Sequence, residues 1–124
     1  MKAVQADPLN ADIYRLWRRT GEERAIPSLP MPNMEVRGVK FEKMTPEQYD
    51  RYAQLVGFYR RTLAEKVYMS GAFAKGGDET KLDLLGRAYS EGQKMGKYKF
   101  LQELKANGQS LTPLTQRRGF VETE

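Results

Sequence analysis

The 124-residue chain is long enough for one compact domain or a pair of small helical units joined by a tether, and too short for a second full domain. It contains neither cysteine nor histidine, which excludes disulfides, thiolate chemistry, imidazole metal ligands and the usual general base; only carboxylates, lysine, tyrosine and hydroxyls remain. Its 21 basic and 16 acidic residues give a net charge of +5, a mild bias toward acidic partners in which the two signs are interleaved.

With 30% charged residues the core is expected to be thin, so that companions rather than the chain's own interior complete the fold. No run approaches the ~18 apolar residues that span a bilayer, and the start Met1-Lys2-Ala3-Val4-Gln5-Ala6-Asp7-Pro8 lacks the apolar block of a signal peptide. No membrane span is expected.

Asp7-Pro8 reads as a helix cap followed by a proline at the first helical position, and Leu9, Ile13, Leu16 and Trp17 follow at the spacing of one helical face until Gly21 stops the helix. This stripe must be buried against something. It either folds back on the helices carrying Tyr49 and Leu63 or docks on another protein, which makes Leu9, Ile13, Leu16 and Trp17 candidate partner-binding residues.

From Glu22 to Lys43 the periodicity disappears. Pro27, Pro30 and Pro32 impose extended backbone, so 22–43 reads as a proline-rich linker in which Val36-Arg37-Gly38-Val39-Lys40-Phe41 forms a short strand or a minimal hairpin.

Met44-Thr45-Pro46-Glu47-Gln48-Tyr49 carries the strongest local instruction. Thr45 caps, Pro46 opens the helix, Gln48 completes a capping box and Met44 can clamp onto Tyr49 as a hydrophobic staple. The helix runs through Tyr52, Ala53 and Val56, with Gly57 as a bend or stop before Tyr59, Leu63, Val67 and Tyr68 resume its face. Ser70-Gly71 and Lys75-Gly76-Gly77 mark a turn, and Asp78 is expected to cap the longest helix, with Leu82, Leu85, Tyr89, Met95, Phe100 and Leu104.

Gly86, Gly92 and Gly96 inside that segment each cost roughly 1 kcal/mol relative to alanine. Gly92 and Gly96 share a face, so either a neighbouring helix crosses them closely or the helix breaks there. Close packing is preferred, because breaks usually come with proline or a cluster of polar caps. After Asn107-Gly108 the chain loses periodicity and reads as a basic tail. The expected fold is therefore mainly α, three to four helices with an extended proline-rich linker and at most a short β-hairpin. Its units are an N-terminal arm (1–21), the linker (22–43), a helical body (44–106) and the tail (107–124).

Chemical motifs are few. Gly71-Ala72-Phe73-Ala74-Lys75-Gly76-Gly77 has glycine where a phosphate loop needs lysine, and Gly92-Gln93-Lys94-Met95-Gly96-Lys97 is a residue short and has no strand before it. Arg24-Ala25-Ile26-Pro27-Ser28-Leu29-Pro30 has the spacing of a groove-docking proline peptide, which a stiffened linker reproduces. No catalytic residue, cofactor or metal site is expected. For nucleic acid the candidate phosphate contacts are Arg60, Arg61, Arg117 and Arg118, with Tyr59, Tyr98 or Phe120 available for stacking.

The order of segments carries a resemblance. A Asp7-Pro8 helix ending at Gly21 is followed by Ile26-Pro27-Ser28-Leu29-Pro30, then Gly38-Val39-Lys40-Phe41, then Met44-Thr45-Pro46-Glu47-Gln48-Tyr49 and Gly57. Over residues 7–104 this resembles a segment near the C-terminus of very long bacteriophage polyvalent or internal virion proteins. The resemblance implies a non-enzymatic structural component of a phage virion in a multi-copy assembly, partnered by other virion proteins and present in the host cytoplasm during assembly. This chain would be a small separately encoded component or a fragment of a longer polypeptide. The alternative is a small basic nucleic-acid-binding or DNA-packaging accessory protein.

Overall fold

The structure, a computed structural model, describes residues 7–114. Helix α1 (Pro8–Thr20) begins where the Asp7 carboxylate accepts the main-chain N–H of Leu9 and Asn10, and ends at Gly21, whose φ of 71° belongs to the left-handed region that glycine enters without strain. A 3-10 turn (Glu23–Ala25) follows, and the antiparallel strands β1 (Glu35–Val36) and β2 (Val39–Lys40) form a hairpin around Arg37 and Gly38, with φ of 50° and 82°. Positive φ at both central residues is the turn that matches strand twist in a two-residue hairpin.

Helix α2 (Pro46–Tyr68) opens with the full capping box: Gln48 N–H donates to Thr45 Oγ1 at 3.1 Å and Thr45 N–H to Gln48 Oε1 at 2.9 Å. It runs unbroken through Gly57. The Ser70-Gly71 turn is itself a short helix, α3 (Gly71–Lys75), capped by Ser70 and burying Phe73. Helix α4 (Asp78–Ala106) then returns antiparallel along α2. Asp78 does not cap it. Gly77 holds the cap position, and the Asp78 carboxylate, freed from that duty, receives the Arg19 guanidinium at 2.7 Å.

The α2–α4 pair is built around its glycines. A methyl group at Gly92 would stand 2.5 Å from Arg60 Cα, and one at Gly96 2.7 Å from Val56 Cα, so the two backbones touch where those side chains are missing. No break occurs in α4. Gly86 has open space around its missing side chain and carries no such packing role.

The interior is two apolar clusters strung along this helix pair. One joins Leu9, Leu16 and Ala25 to Ala64, Phe73, Leu82, Leu85 and Tyr89; the other joins Met34 and Met44 to Tyr52, Val56, Phe100 and Leu104, with Tyr49 packed alongside. Both include residues from outside 44–106. The arm and the proline segment, expected as separate units, thus supply core residues alongside the helical body.

Between the 3-10 turn and the hairpin the chain has no regular helix or strand, as Pro27, Pro30 and Pro32 favour, yet it is a strap sealed to the helices. Extended proline-rich backbone makes no internal hydrogen bonds, so its buried carbonyls need outside donors. Tyr89 Oη–H donates to Ala25 O at 2.8 Å, the Arg60 guanidinium to Ser28 O, Tyr49 Oη–H to Pro30 O at 2.8 Å and Lys97 Nζ to Glu35 O at 2.7 Å. After Asn107 the chain turns at Gly108 and comes back to the hairpin: Glu42 N–H donates to Thr112 O at 2.7 Å, and Phe41 bridges Pro113. The first part of the expected tail is thus docked, its Leu111 packed on the second cluster.

Candidate functional site

Between α1, the strap and α2 lies an apolar groove of about 450 Å3. On its α2 side it is lined by Ala53, Val56, Gly57 and Ala64 with the stems of Arg60 and Arg61, facing Leu9 and Ile13 of α1 and Pro27 and Leu29 of the strap. Gly57 is exposed and its missing side chain meets nothing within 4 Å. Tyr14, Ile26 and Leu29 stand at the rim, with Leu29 81% exposed.

The residues singled out from sequence divide between the interior and this rim. Leu9 and Leu16 are buried in the chain's own core, which removes them as free contact residues; Ile13 is half-buried against the same cluster. Leu9, Ile13 and Leu16 thus fold back on the chain's own helices. The stripe is wider than the buried face, so Trp17 stays 37% exposed and tilts against Tyr14 at 5.9 Å between ring centroids, with the Arg18 guanidinium 5.7 Å from the Tyr14 ring.

Arg60 is not a phosphate contact. It is buried, and its guanidinium donates to Tyr89 O at 3.2 Å, to Ser28 O and to Gln93 Oε1 at 2.9 Å, passing over Gly92 to do so. Burial lowers its pKa from the ordinary arginine value, and among the described residues no carboxylate pairs with it. Arg61 is also committed, donating to Asp7, to Asn10 Oδ1 at 2.8 Å and to Glu65 at 2.9 Å. Arg117 and Arg118 lie outside the described residues.

Helix α1 is held in place by a ring of ionic and polar links. Desolvation pushes the Asp7 carboxyl upward, but Arg61 and the N–H groups of Asn10 and Leu9 outweigh it and hold it below the usual carboxylate range. Asp12 is lowered in the same balance, with burial opposed by the Tyr68 hydroxyl, which donates at 2.6 Å, and by Arg15. At the far end Arg19 lowers Asp78, and Arg24 reaches Glu79 at 3.2 Å.

Tyr89, which binds the strap, has its phenol pushed up to about 12 by burial, against the pull of Arg60 and Arg61. The strap's clasping residues were not foreseen. The available signal was the presence of Tyr49, Arg60 and Tyr89 on inward helical positions, polar-tipped side chains that need an acceptor when buried.

Among the described residues no group of acidic side chains is placed to hold a metal ion, and no helix is long and apolar enough to cross a membrane. The chain matches no protein-family profile, no curated protein and no solved structure.

Proposed function

We propose that this chain is a non-enzymatic interaction module of a bacteriophage virion, located in the particle and in the host cytoplasm during assembly, which docks neighbouring virion subunits in many copies. The order of segments supports the phage reading, through its resemblance to large polyvalent or internal virion proteins. The docking reading is carried by one observation: the groove lined by Gly57 remains open and apolar although both core clusters are filled by the chain itself. A side chain from a partner helix or strand fits a groove of this volume and lining. Trp17 and Tyr14, adjacent on the outer face of α1, extend the contact surface as aromatic anchors.

Two experiments test this. Proteomic analysis of purified phage particles should find the chain at a fixed copy number, and its absence from intact particles would refute the virion assignment. Gly57→Leu fills the groove from a position with free space around it, so it should leave the thermal midpoint unchanged or higher while abolishing incorporation. Normal incorporation of a folded Gly57→Leu chain would refute the groove as the docking site.

The second reading is a nucleic-acid-binding or packaging accessory protein. It loses Arg60 and Arg61 to internal contacts, but Arg37 of the hairpin turn and Lys105 near the end of α4, which make no ion pair among the described residues, favour it on a different surface.

A further inference from the structure

At the far end of the molecule from α3, the hairpin turn and the last turns of α4 enclose a shallow groove of about 650 Å3. Arg37, Tyr98, Gln102 and Lys105 line it over a base of Val36 and Leu101. Arg37, Gln102 and Lys105 are exposed, and Tyr98 is 66% exposed. Among the described residues Arg37 and Lys105 make no ion pair, and no carboxylate lines the groove. The neighbouring acids are placed elsewhere: Glu35 stands across the ladder from Lys40, and Glu103 is held by Arg51 at 2.7 Å. Lys97, the residue before Tyr98, adds a third cation where its ammonium meets Glu35 O.

Arg37 also sits in a conformation that ordinary L side chains avoid, with φ of 50° at a turn position that asparagine or glycine fills without strain. A residue kept in that state at the lip of a groove points to use of its side chain. The occupant must be anionic, to meet two uncompensated cations, and must bring a flat face, to cover an exposed tyrosine ring. An acidic peptide supplies the second only where an aromatic, arginine or proline side chain happens to stand beside its carboxylates, whereas a nucleotide carries both in every unit. Single-stranded nucleic acid supplies both, and Gln102 adds an amide that can donate and accept at a base edge.

We infer that this groove binds single-stranded nucleic acid, with a base stacked on Tyr98 and phosphates held by Arg37 and Lys105. The inference rests on the second reading above and locates its site.

The test is fluorescence anisotropy of the full chain with labelled oligothymidylate and oligouridylate of about 12 nucleotides, a length within the span of small single-strand sites. Binding should weaken with salt, and Tyr98→Ala should weaken it roughly tenfold, the loss of one stacked base. Arg37→Asn, which suits the turn, and Lys105→Gln should each flatten the slope of log affinity against log salt by about 0.7. Lys75→Gln on α3 should leave affinity unchanged. All four positions are exposed, and circular dichroism would verify that each variant folds.

Binding that survives the groove variants but is lost in the Arg117→Gln/Arg118→Gln chain would overturn the groove and leave the second reading standing. No binding by the wild-type chain at low salt would overturn both. Equal affinity for an oligoglutamate of matched charge would overturn the nucleic-acid assignment in favour of an acidic peptide.

Discussion

Replacing Gly92 by alanine isolates the contact on which the two long helices depend. In an open helix interior the change should stabilise by about 1 kcal/mol, because alanine restricts the unfolded chain more than glycine does. Here the new methyl would stand 2.5 Å from Arg60 Cα and 2.6 Å from Arg60 N, backbone atoms that no rotamer change can move. To reach ordinary contact beyond 3.4 Å the helices must part by close to an ångström, which also loosens the Gly96–Val56 approach. Overpacking of a filled interior costs ~1–3 kcal/mol, and rigid backbone on both sides places this case at the upper end. Offset by the propensity gain, the net loss is about 2 kcal/mol, or roughly 8 °C in thermal midpoint for a chain of this size. Gly86→Ala is the matched control on the same helix, with open space at its missing side chain, and should gain about 1 kcal/mol. Urea and thermal melts followed by far-ultraviolet circular dichroism would measure both. A Gly92→Ala protein as stable as Gly86→Ala would refute close helix approach as the basis of the fold.

Three further outcomes follow from the strap and the α1 links. Asp7, Asp12 and Asp78 all have folded-state pKa values lowered below 3.8, so the stability they contribute is present above about pH 4 and is lost as pH falls through the lowered values. Acid should therefore release α1 first, seen as a red shift of Trp17 fluorescence while the helical signal of α2 and α4 persists; a shift on raising the pH instead would contradict the scheme. Tyr89 should titrate at about 12, and because its folded value is raised, the stability it carries is intact below pH 10 and disappears between there and about 12. Absorbance at the phenolate band measures this, and Ala25, its acceptor, marks the strap end that then comes loose. Arg60→Ala should destabilise by roughly 2 kcal/mol, the scale of hydrogen bonds from a charged donor, and should open the strap to proteolysis around Ser28. Arg60→Lys should not restore resistance, since an ammonium cannot present the planar fork that reaches three acceptors on two elements. Unchanged proteolysis in Arg60→Ala would show that the strap is held without it.

Local features were legible in the letters because their causes are local. Asp7-Pro8, the Thr45 capping box, the Gly21 stop and the hairpin around Arg37-Gly38 each depend on a few neighbouring residues, and each forms where sequence places it. Two helix starts were exceptions: a distant partner, Arg19, drew the Asp78 carboxylate away from the cap, and Ser70-Gly71, expected as a turn, opens the short helix α3. The Gly92 and Gly96 spacing also announced its purpose, a close crossing, although not which residues would cross.

The candidate sites were less legible. Leu9 and Leu16 have the same apolar character whether a partner or the chain itself covers them, and Arg60 and Arg61 look like free cations until Ser28, Tyr89, Asp7 and Asn10 are brought beside them. Residues far apart in the chain determine which side chains are spent inside and which remain outside. The amino-acid sequence alone thus determined a mainly helical chain and the starts of its first two helices, since capping chemistry acts within a few residues. Only the tertiary structure decided that α1 and the proline strap supply core residues, and which apolar and cationic grooves stay open among the described residues, because carbonyls of extended backbone and the faces of helices find their partners through space rather than along the chain.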